Sequence, residues 1–292
     1  MLEENPMYSP IRKMSMADKG RKSMAYLQKM KDEGKPIVQT CTAGRDPYWV
    51  MAAEMADIDI HRLAPSLISE GMAYSVANAV TNIKCNRRFA PRIHMNVYME
   101  SLSYASKDDA IRNGVQYMAA GADSLLAEGI DNDLCKYMAD NYLVLYGHVG
   151  AISGWQTMRW GVYKRLGKTA EDAMRIFKMA YEYQENGMLA MTVELTPFEV
   201  TSVIAKKLRI PVLAIAASGG ADGYEMVDGD IFDMMATPAT HAKQYANFFK
   251  WASDAYAAWA TDVRTGAYPE DKHGFHMDEA EHEKFLDAID KF

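Results

Sequence analysis

The sequence has little of several features that mark special classes of protein. Only three of its 292 residues are cysteines, and their wide spacing matches neither a disulfide framework nor a zinc site. No apolar run approaches the ~18–20 residues that cross a membrane, and the acidic N-terminus contains no apolar signal core. The net charge is −7, without the basic stripe of a nucleic-acid-binding protein. We therefore expect a cytoplasmic protein with reduced thiols that binds neither membranes nor nucleic acids.

Short apolar segments alternate with amphipathic segments along most of the chain. Hydrophobic residues make up 49% of the sequence and charged residues 24%, a balance typical of globular domains. About eight strand-like runs alternate with helices, and their mostly continuous apolar character indicates strands covered on both faces. This pattern predicts an α/β protein, a (β/α)8 TIM barrel with an N-terminal lead helix.

The barrel is predicted to form a single domain over residues 1–292, because no linker or shift in composition divides the chain. The lead helix is expected at about 14–31 and the C-terminal helices at about 241–292. The aromatic residues Trp251 and Trp259 indicate an apolar face on the first C-terminal helix. That face either packs on its own barrel or contacts another copy of the chain.

Polar side chains follow nearly every predicted strand, at the end where such a barrel has its active site. In chain order these residues are Ser66, Asn96, Glu128, His148, Glu194 and Ser218. Glu194 ends an apolar run, and a carboxylate at a buried strand end suits a general base. His148, between glycines in a Gly-His-Val-Gly turn, either donates a hydrogen bond or proton to the substrate or bridges loop carbonyls.

Two further histidines and an arginine are candidates. Side chains alternate along a strand, which places His94 on the face of Asn96 and, by similar parity, His61 on the inner side of strand two. These histidines are hydrogen-bonded core residues, donors to the substrate, or, with Glu128, ligands of a softer ion such as Zn2+ or Mn2+. Arg45, after strand one, is expected either to bind an anionic substrate group or to form a surface ion pair.

Several short motifs occur in a fixed order between about residues 24 and 276. They include Gly-His-Val-Gly at 147–150, Val-Glu-Leu-Thr-Pro at 193–197, Ala-Asp-Gly at 221–223 and His-Gly-Phe-His at 273–276. Their order and spacing resemble the ketopantoate hydroxymethyltransferase family. The resemblance implies a barrel of the phosphoenolpyruvate mutase/isocitrate lyase superfamily, homo-oligomers, and Mg2+ chelated by an α-keto acid substrate.

The resemblance also implies a reaction and the roles of four residues. Members of the family transfer a hydroxymethyl group from methylenetetrahydrofolate to ketoisovalerate through an enolate. Glu194 matches the base that removes the proton α to the carbonyl, and His148 matches a residue beside the substrate. Glu128 matches a glutamate that supports the metal and its waters, and Ser66 matches a serine that touches the substrate carboxylate.

Three positions depart from the family pattern. Pro65 stands where the resemblance predicts a metal aspartate, Asn96 or Tyr98 where it predicts the second, and Leu126 where it predicts a lysine. Asparagine is a poor replacement for a carboxylate on a hard cation. We therefore expect that the chain does not bind Mg2+ in the family manner and is not the pantothenate enzyme. Its cofactor and its use of folate stay open.

Three functions fit these residues. The first is an enzyme that makes or breaks a carbon–carbon bond next to a carbonyl, acting on a small carbonyl or carboxylate substrate. The second is a lyase, hydrolase or mutase that acts on a C–O or C–P bond of an oxo-acid-like or aromatic substrate. The third is a non-catalytic relative. An acid and a base retained at Glu194, His148 and Glu128 favour an enzyme.

Overall fold

The computed structural model describes residues 20–42, 47–64, 75–152, 164–217, 219–235 and 239–292. Parallel strands β1 to β8 pair in sequence order and close on one another, which confirms the predicted (β/α)8 barrel. The three cysteines are free thiols. Within these ranges no helix is both long and apolar enough to cross a membrane.

The strands and helices alternate around the barrel. The strands are β1 Ile37–Thr42, β2 Ile60–Leu63, β3 His94–Met99, β4 Ser124–Ala127, β5 Leu145–Gly150, β6 Met188–Glu194, β7 Val212–Ile215 and β8 Gly223–Val227. The helices are α1 Met24–Asp32, α2 Pro47–Met55, α3 Val76–Phe89, α4 Lys107–Ala120, α5 Asn132–Asp140, α6 Ala170–Glu185, α7 Phe198–Lys207, α8 Asp228–Ile231, α9 Phe248–Thr265 and α10 Glu279–Ile289.

Alternating side chains divide the strands between two cores. Outward residues such as Val97, Leu125 and Val193 are buried against the surrounding helices. The inward residues form a second cluster with Leu27 of α1, made of Ile37, Ile60, Ala64, Tyr98, Leu126, Tyr146, Ala190 and Leu213. Because side chains alternate, this cluster fixes which residue of each strand points into the barrel.

The lead helix is shorter at its start than the sequence predicts. It begins at Met24, where the Ser23 hydroxyl accepts a hydrogen bond from the backbone of the first turn. Before this cap, the Lys22 ammonium donates to the Asp59 carboxylate at 3.0 Å, which ties the extended chain to the segment before β2. Residues 14–19 lie outside the described ranges.

The C-terminal helices also differ from the prediction. The long helix α9 begins at Phe248, where the Asn247 side chain caps it, and not at about 241. None of its 18 residues is buried, although its first residue, Phe248, contacts the Trp49 ring of α2 with ring centres 5.8 Å apart. On the barrel wall, the paired outward residues Val38 of β1 and Tyr224 of β8 are 46% and 43% exposed. Among the described residues, no helix buries this part of the barrel wall.

The closure of the barrel leaves no room for a side chain at Gly223. A Cβ atom there would overlap the carbonyl oxygen of Ile37. We expect Gly223→Ala to lower the free energy of unfolding by about 1–3 kcal/mol or more, because the backbone of β1 cannot move aside easily. Scanning fluorimetry of Tm measures the effect. At Gly274 a Cβ meets nothing within 4 Å, so Gly274→Ala is the matched control, and equal melting of both variants would contradict this account.

Candidate active site

Three polar side chains meet at the carboxyl ends of neighbouring strands. Glu128 directly follows β4, His148 lies in β5, and Glu194 ends β6. The His148 Nδ1 atom is 2.6 Å from Glu128 Oε1, and its Nε2 atom is 2.8 Å from Glu194 Oε2. The structure thus brings the predicted acid and base together, with the imidazole between two carboxylates.

The three side chains differ in their access to solvent. The His148 side chain is 4% exposed and the Glu128 side chain 3%, whereas the Glu194 side chain is 13% exposed. Glu194 is therefore the carboxylate that faces the mouth of the barrel. Glu128 lies on the other side of the imidazole and holds the ring in place.

Two tyrosines fix the position of Glu128. The Tyr98 hydroxyl donates to Glu128 Oε2 at 3.3 Å, and the Tyr104 hydroxyl donates to the Glu128 backbone carbonyl at 2.8 Å. Tyr98 is one of the two positions where the sequence motifs place a metal aspartate. In this chain it is instead a support for the carboxylate that orients His148.

A tight backbone contact fixes the position of Glu194. Gly150 is paired with Glu194 across β5 and β6, and a Cβ at Gly150 would overlap the Glu194 carbonyl oxygen. Gly150 has φ +88°, a value that favours glycine. The next residue after the base, Leu195, also adopts a left-handed conformation, with φ 47°. The chain therefore turns sharply where Glu194 enters the mouth.

The two carboxylates determine the protonation of the imidazole. Burial by itself would lower the pKa of His148, but Glu128 and Glu194 outweigh it and raise this pKa to about 10. The ring is therefore an imidazolium at neutral pH. Despite its short distance to Glu194, the Nε2 atom has no well-aligned hydrogen-bond partner among the described residues. This N–H group therefore lies beside the Glu194 carboxylate without a well-formed hydrogen bond to it.

A second polar cluster crosses the barrel interior, and sequence reasoning missed it. The Arg62 guanidinium donates to both carboxylate oxygens of Glu225, at 2.7 and 2.9 Å. It also donates to Thr192 Oγ1 at 3.0 Å and to Asn96 Oδ1 at 2.8 Å. Its central carbon is 5.1 Å from the centre of the Tyr146 ring. The sequence did contain a signal for this cluster, because Arg62 and Glu225 place opposite charges within two apolar strands.

The prediction for His61 is wrong, because this side chain points away from the barrel interior. It alternates with Arg62, which takes the inner face of β2 since its charge meets Glu225 there. The His61 Nδ1 atom is 2.8 Å from Oγ1 of Thr40 on β1. Burial lowers the pKa of His61 to about 3, so the ring is neutral.

His94 shares the inner face with Asn96, as predicted. It is the first residue of β3, however, and so lies far from the carboxyl ends of the strands. Its Nε2 atom is 2.8 Å from Ser124 Oγ, and its Nδ1 atom is 3.1 Å from the Lys22 carbonyl oxygen. Burial lowers its pKa to about 4. Asn96 donates to the same Ser124 hydroxyl at 2.9 Å and is fully buried. Both residues therefore belong to the hydrogen-bonded interior and not to the exposed site.

Among the described residues, the side chains at the expected metal positions do not fit the Mg2+ site that the family resemblance implies. Asn96 Oδ1 already accepts a hydrogen bond from Arg62, and a cation on that oxygen would lie next to the guanidinium and be repelled by it. Tyr98 offers a phenol that is hydrogen-bonded to Glu128. Leu126, at the position of the expected lysine, is buried in the barrel.

The alternative set of ligands for a softer ion is also not assembled. Glu128 lies at the carboxyl end of the barrel, His94 at the start of β3, and His61 on the outer face of β2. In the part of the chain that the structure describes, no group of three or more such side chains is placed to hold a metal ion. Three other predicted site residues, Arg45, Ser66 and Ser218, lie outside the described residues, as does Pro65.

Comparison with protein-family models matches residues 21–271 to the ketopantoate hydroxymethyltransferase model. The chain belongs to this family. Similar relatives include 3-methyl-2-oxobutanoate hydroxymethyltransferase 1 of Methylibium petroleiphilum, 27% identical over 286 residues, with 94% of this chain and 96% of the relative covered. The hydroxymethyltransferase of Bacillus subtilis is 30% identical over 263 residues, with 86% and 94% covered. The family suggested by the sequence motifs is confirmed.

Solved structures share the fold at lower identity. A 2,3-dimethylmalate lyase, described as a PEP mutase/isocitrate lyase superfamily member, matches with a TM-score of 0.52 and 13% identity, covering 92% of this chain and 99% of that one. A phosphonopyruvate hydrolase matches with a TM-score of 0.52 and 13% identity, covering 93% and 98%. These likenesses show that this family member has the barrel of those enzymes.

The charge of His148 makes stability depend on pH. Its pKa rises from 6.5 to about 10 on folding, so its stabilising effect is complete below about pH 6.5 and is lost as the pH rises towards 10. We expect the Tm difference between the wild type and His148→Gln to shrink over this range, as measured by scanning fluorimetry. His282→Gln, at an exposed histidine, is the control. A difference that is constant between pH 6.5 and 10 would contradict the assigned imidazolium.

Proposed function

We propose that this family member is an enzyme that makes or breaks a carbon–carbon bond next to the carbonyl group of a small oxo acid. The observation that carries the proposal is the position of His148 between Glu128 and Glu194 at the barrel mouth. The named relatives are 3-methyl-2-oxobutanoate hydroxymethyltransferases, which supports an oxo acid as the substrate class. Free thiols at all three cysteines support a cytoplasmic location.

The geometry supports one sequence of proton and bond movements. The Glu194 carboxylate accepts the proton from the carbon next to the carbonyl, and the C–H electron pair forms an enolate. In the condensing direction, the enolate carbon bonds to an aldehyde-level carbon, whose oxygen takes a proton and becomes a hydroxyl. In the cleaving direction, the same steps run in reverse. The Nε2–H of His148 serves as the donor to an oxygen of the reacting molecule.

The rest of the site holds this pair in place. The Nδ1–H group of His148 donates to Glu128, which orients the ring so that Nε2–H is left for the reacting molecule. The contact between Gly150 and the Glu194 backbone keeps the base at the mouth. The proposal includes no Mg2+ at Asn96 or Tyr98, because both side chains already have protein partners.

Proton exchange with solvent tests the assigned base. We expect the enzyme in D2O to exchange the hydrogen on the carbon next to the carbonyl of 3-methyl-2-oxobutanoate or pyruvate, followed by proton NMR. Glu194→Gln should slow the exchange by about 10²-fold or more, because it removes the proton acceptor. The matched control is Glu283→Gln, which makes the same change on exposed helix α10. Wild-type exchange rates in Glu194→Gln would rule out this base, and no exchange by the wild type would argue against the reaction.

We further propose that copies of this chain assemble through helix α9. The apolar stripe Phe249, Tyr256, Trp259 and Val263 repeats at helical spacing, and its members are 47–71% exposed. In the part of the chain that the structure describes, this stripe of α9 is exposed, and no helix buries the barrel wall around Tyr224. A second copy supplies both missing partners at once, which favours a homo-oligomer with exchanged helices.

Charges placed on the stripe should break this assembly. In Tyr256→Glu/Trp259→Glu, buried carboxylates would replace the apolar contact with the partner's barrel. Size-exclusion chromatography with light scattering should therefore show a smaller oligomer than the wild type. Asp254→Asn, on the opposite face of α9, is the control and should keep the wild-type mass. A monomeric wild type, or an unchanged mass of the double variant, would contradict the exchange.

A further inference from the structure

One buried cation has no part in the proposed acid–base pair. The Arg62 side chain is 6% exposed, and its partner Glu225 is 1% exposed. Burial by itself would lower the pKa of Arg62, but Glu225 and the neighbouring groups raise it above its usual range. Arg62 therefore carries a permanent charge. Its guanidinium lies among side chains from three other strands, which are Asn96 of β3, Thr192 of β6 and Glu225 of β8.

The register of the strands places this charge directly beneath the catalytic pair. Thr192 is paired with His148 across β5 and β6, and Glu194 is the next inward residue of β6. Since Arg62 donates to Thr192, the guanidinium contacts the inward residue that precedes Glu194 on β6, and successive inward residues lie roughly 7 Å apart along a strand. The guanidinium therefore belongs to the layer of inward side chains next to that of Glu194.

The guanidinium is also held in a fixed orientation. Both bonds to Glu225 come from one nitrogen, Nη1, and Thr192 Oγ1 donates to Glu225 Oε2 at 2.9 Å, which fixes the carboxylate as well. Glu225, Thr192 and Asn96 together accept four hydrogen bonds from a group that has five N–H donors. A cation held in this way needs no rearrangement when negative charge develops on a ligand.

We propose that Arg62 binds and stabilises the enolate oxygen of the substrate, in place of the divalent cation that the family pattern implies. Glu225 is a positioning residue that keeps the guanidinium aimed across the barrel. The inference rests on the proposed function for the identity of the oxyanion, but its central claim concerns ligand binding. An enolate-like dianion should bind through Arg62 and without a divalent cation.

Oxalate, a planar dianion that resembles such an enolate, is the probe. Isothermal titration measures its binding to the full-length protein in EDTA and in Mg2+. The main variant is Arg62→Met/Glu225→Met, because removing both charges leaves no unpaired buried carboxylate. The matched control is Arg209→Met/Glu185→Met, which removes an exposed ion pair in the same way. Arg62→Lys keeps the charge without the planar guanidinium and provides a second test if the double variant does not fold.

We expect wild type and control to bind oxalate with the same affinity in EDTA and in Mg2+. Arg62→Met/Glu225→Met should bind it about 10²-fold or more weakly, and Arg62→Lys should fall in between. Oxalate binding that requires Mg2+, or that survives in the double variant at wild-type strength, would overturn the proposal.

Proton exchange in EDTA separates this inference from the proposed function. If the wild type exchanges oxo-acid hydrogens in EDTA and the double variant does not, both are supported. If the wild type exchanges none, the reaction is wrong, and the oxalate titration alone decides the role of Arg62. Exchange that EDTA abolishes and Mg2+ restores would contradict Arg62 as the replacement for the cation.

Discussion

A charge buried in a barrel is strongly unfavourable unless an opposite charge and hydrogen bonds meet it. The interior of this barrel satisfies that constraint twice, in two neighbouring layers. In the lower layer Arg62 is paired with Glu225, and in the upper layer protonated His148 lies between Glu128 and Glu194. In each layer the carboxylates favour the charged form of the cation that they surround. The upper layer keeps one carboxylate partly open to the mouth, which is why we propose it as the reactive layer.

Much of the fold follows from short-range signals in the sequence. The bounds of α4 follow from two local signals, because Ser106 caps its start and Gly121 ends it with φ 127°. The barrel itself follows from eight apolar strands separated by helices. The position of α9 could not be predicted, because an apolar helical face packs equally well on its own barrel or on that of another chain. Only the exposed wall around Tyr224 separates these alternatives.

The site was predictable to the extent that strand ends can be recognised. Glu128, His148 and Glu194 each end an apolar run, so their meeting follows from the barrel. The Arg62–Glu225 pair was missed because β2 is four residues long. The sequence of so short a strand does not show which of its residues point into the barrel. Assigning His61 to the inner face hid the arginine next to it. Opposite charges in two distant strands predict contact only when both are known to face inward.

The departures from the family pattern have a physical explanation when neighbouring residues are considered together, but not when each is taken alone. Asn96 accepts a hydrogen bond from Arg62 and donates one to Ser124, so it matches both of its neighbours without a charge. An aspartate at this position would add a second carboxylate to a guanidinium already paired with Glu225. Its charge would be held by Arg62 and would not be available to a metal ion. A metal-binding aspartate at this position would therefore require the loss of the arginine as well, which makes the neutral side chain of Asn96 a consequence of the charge on Arg62.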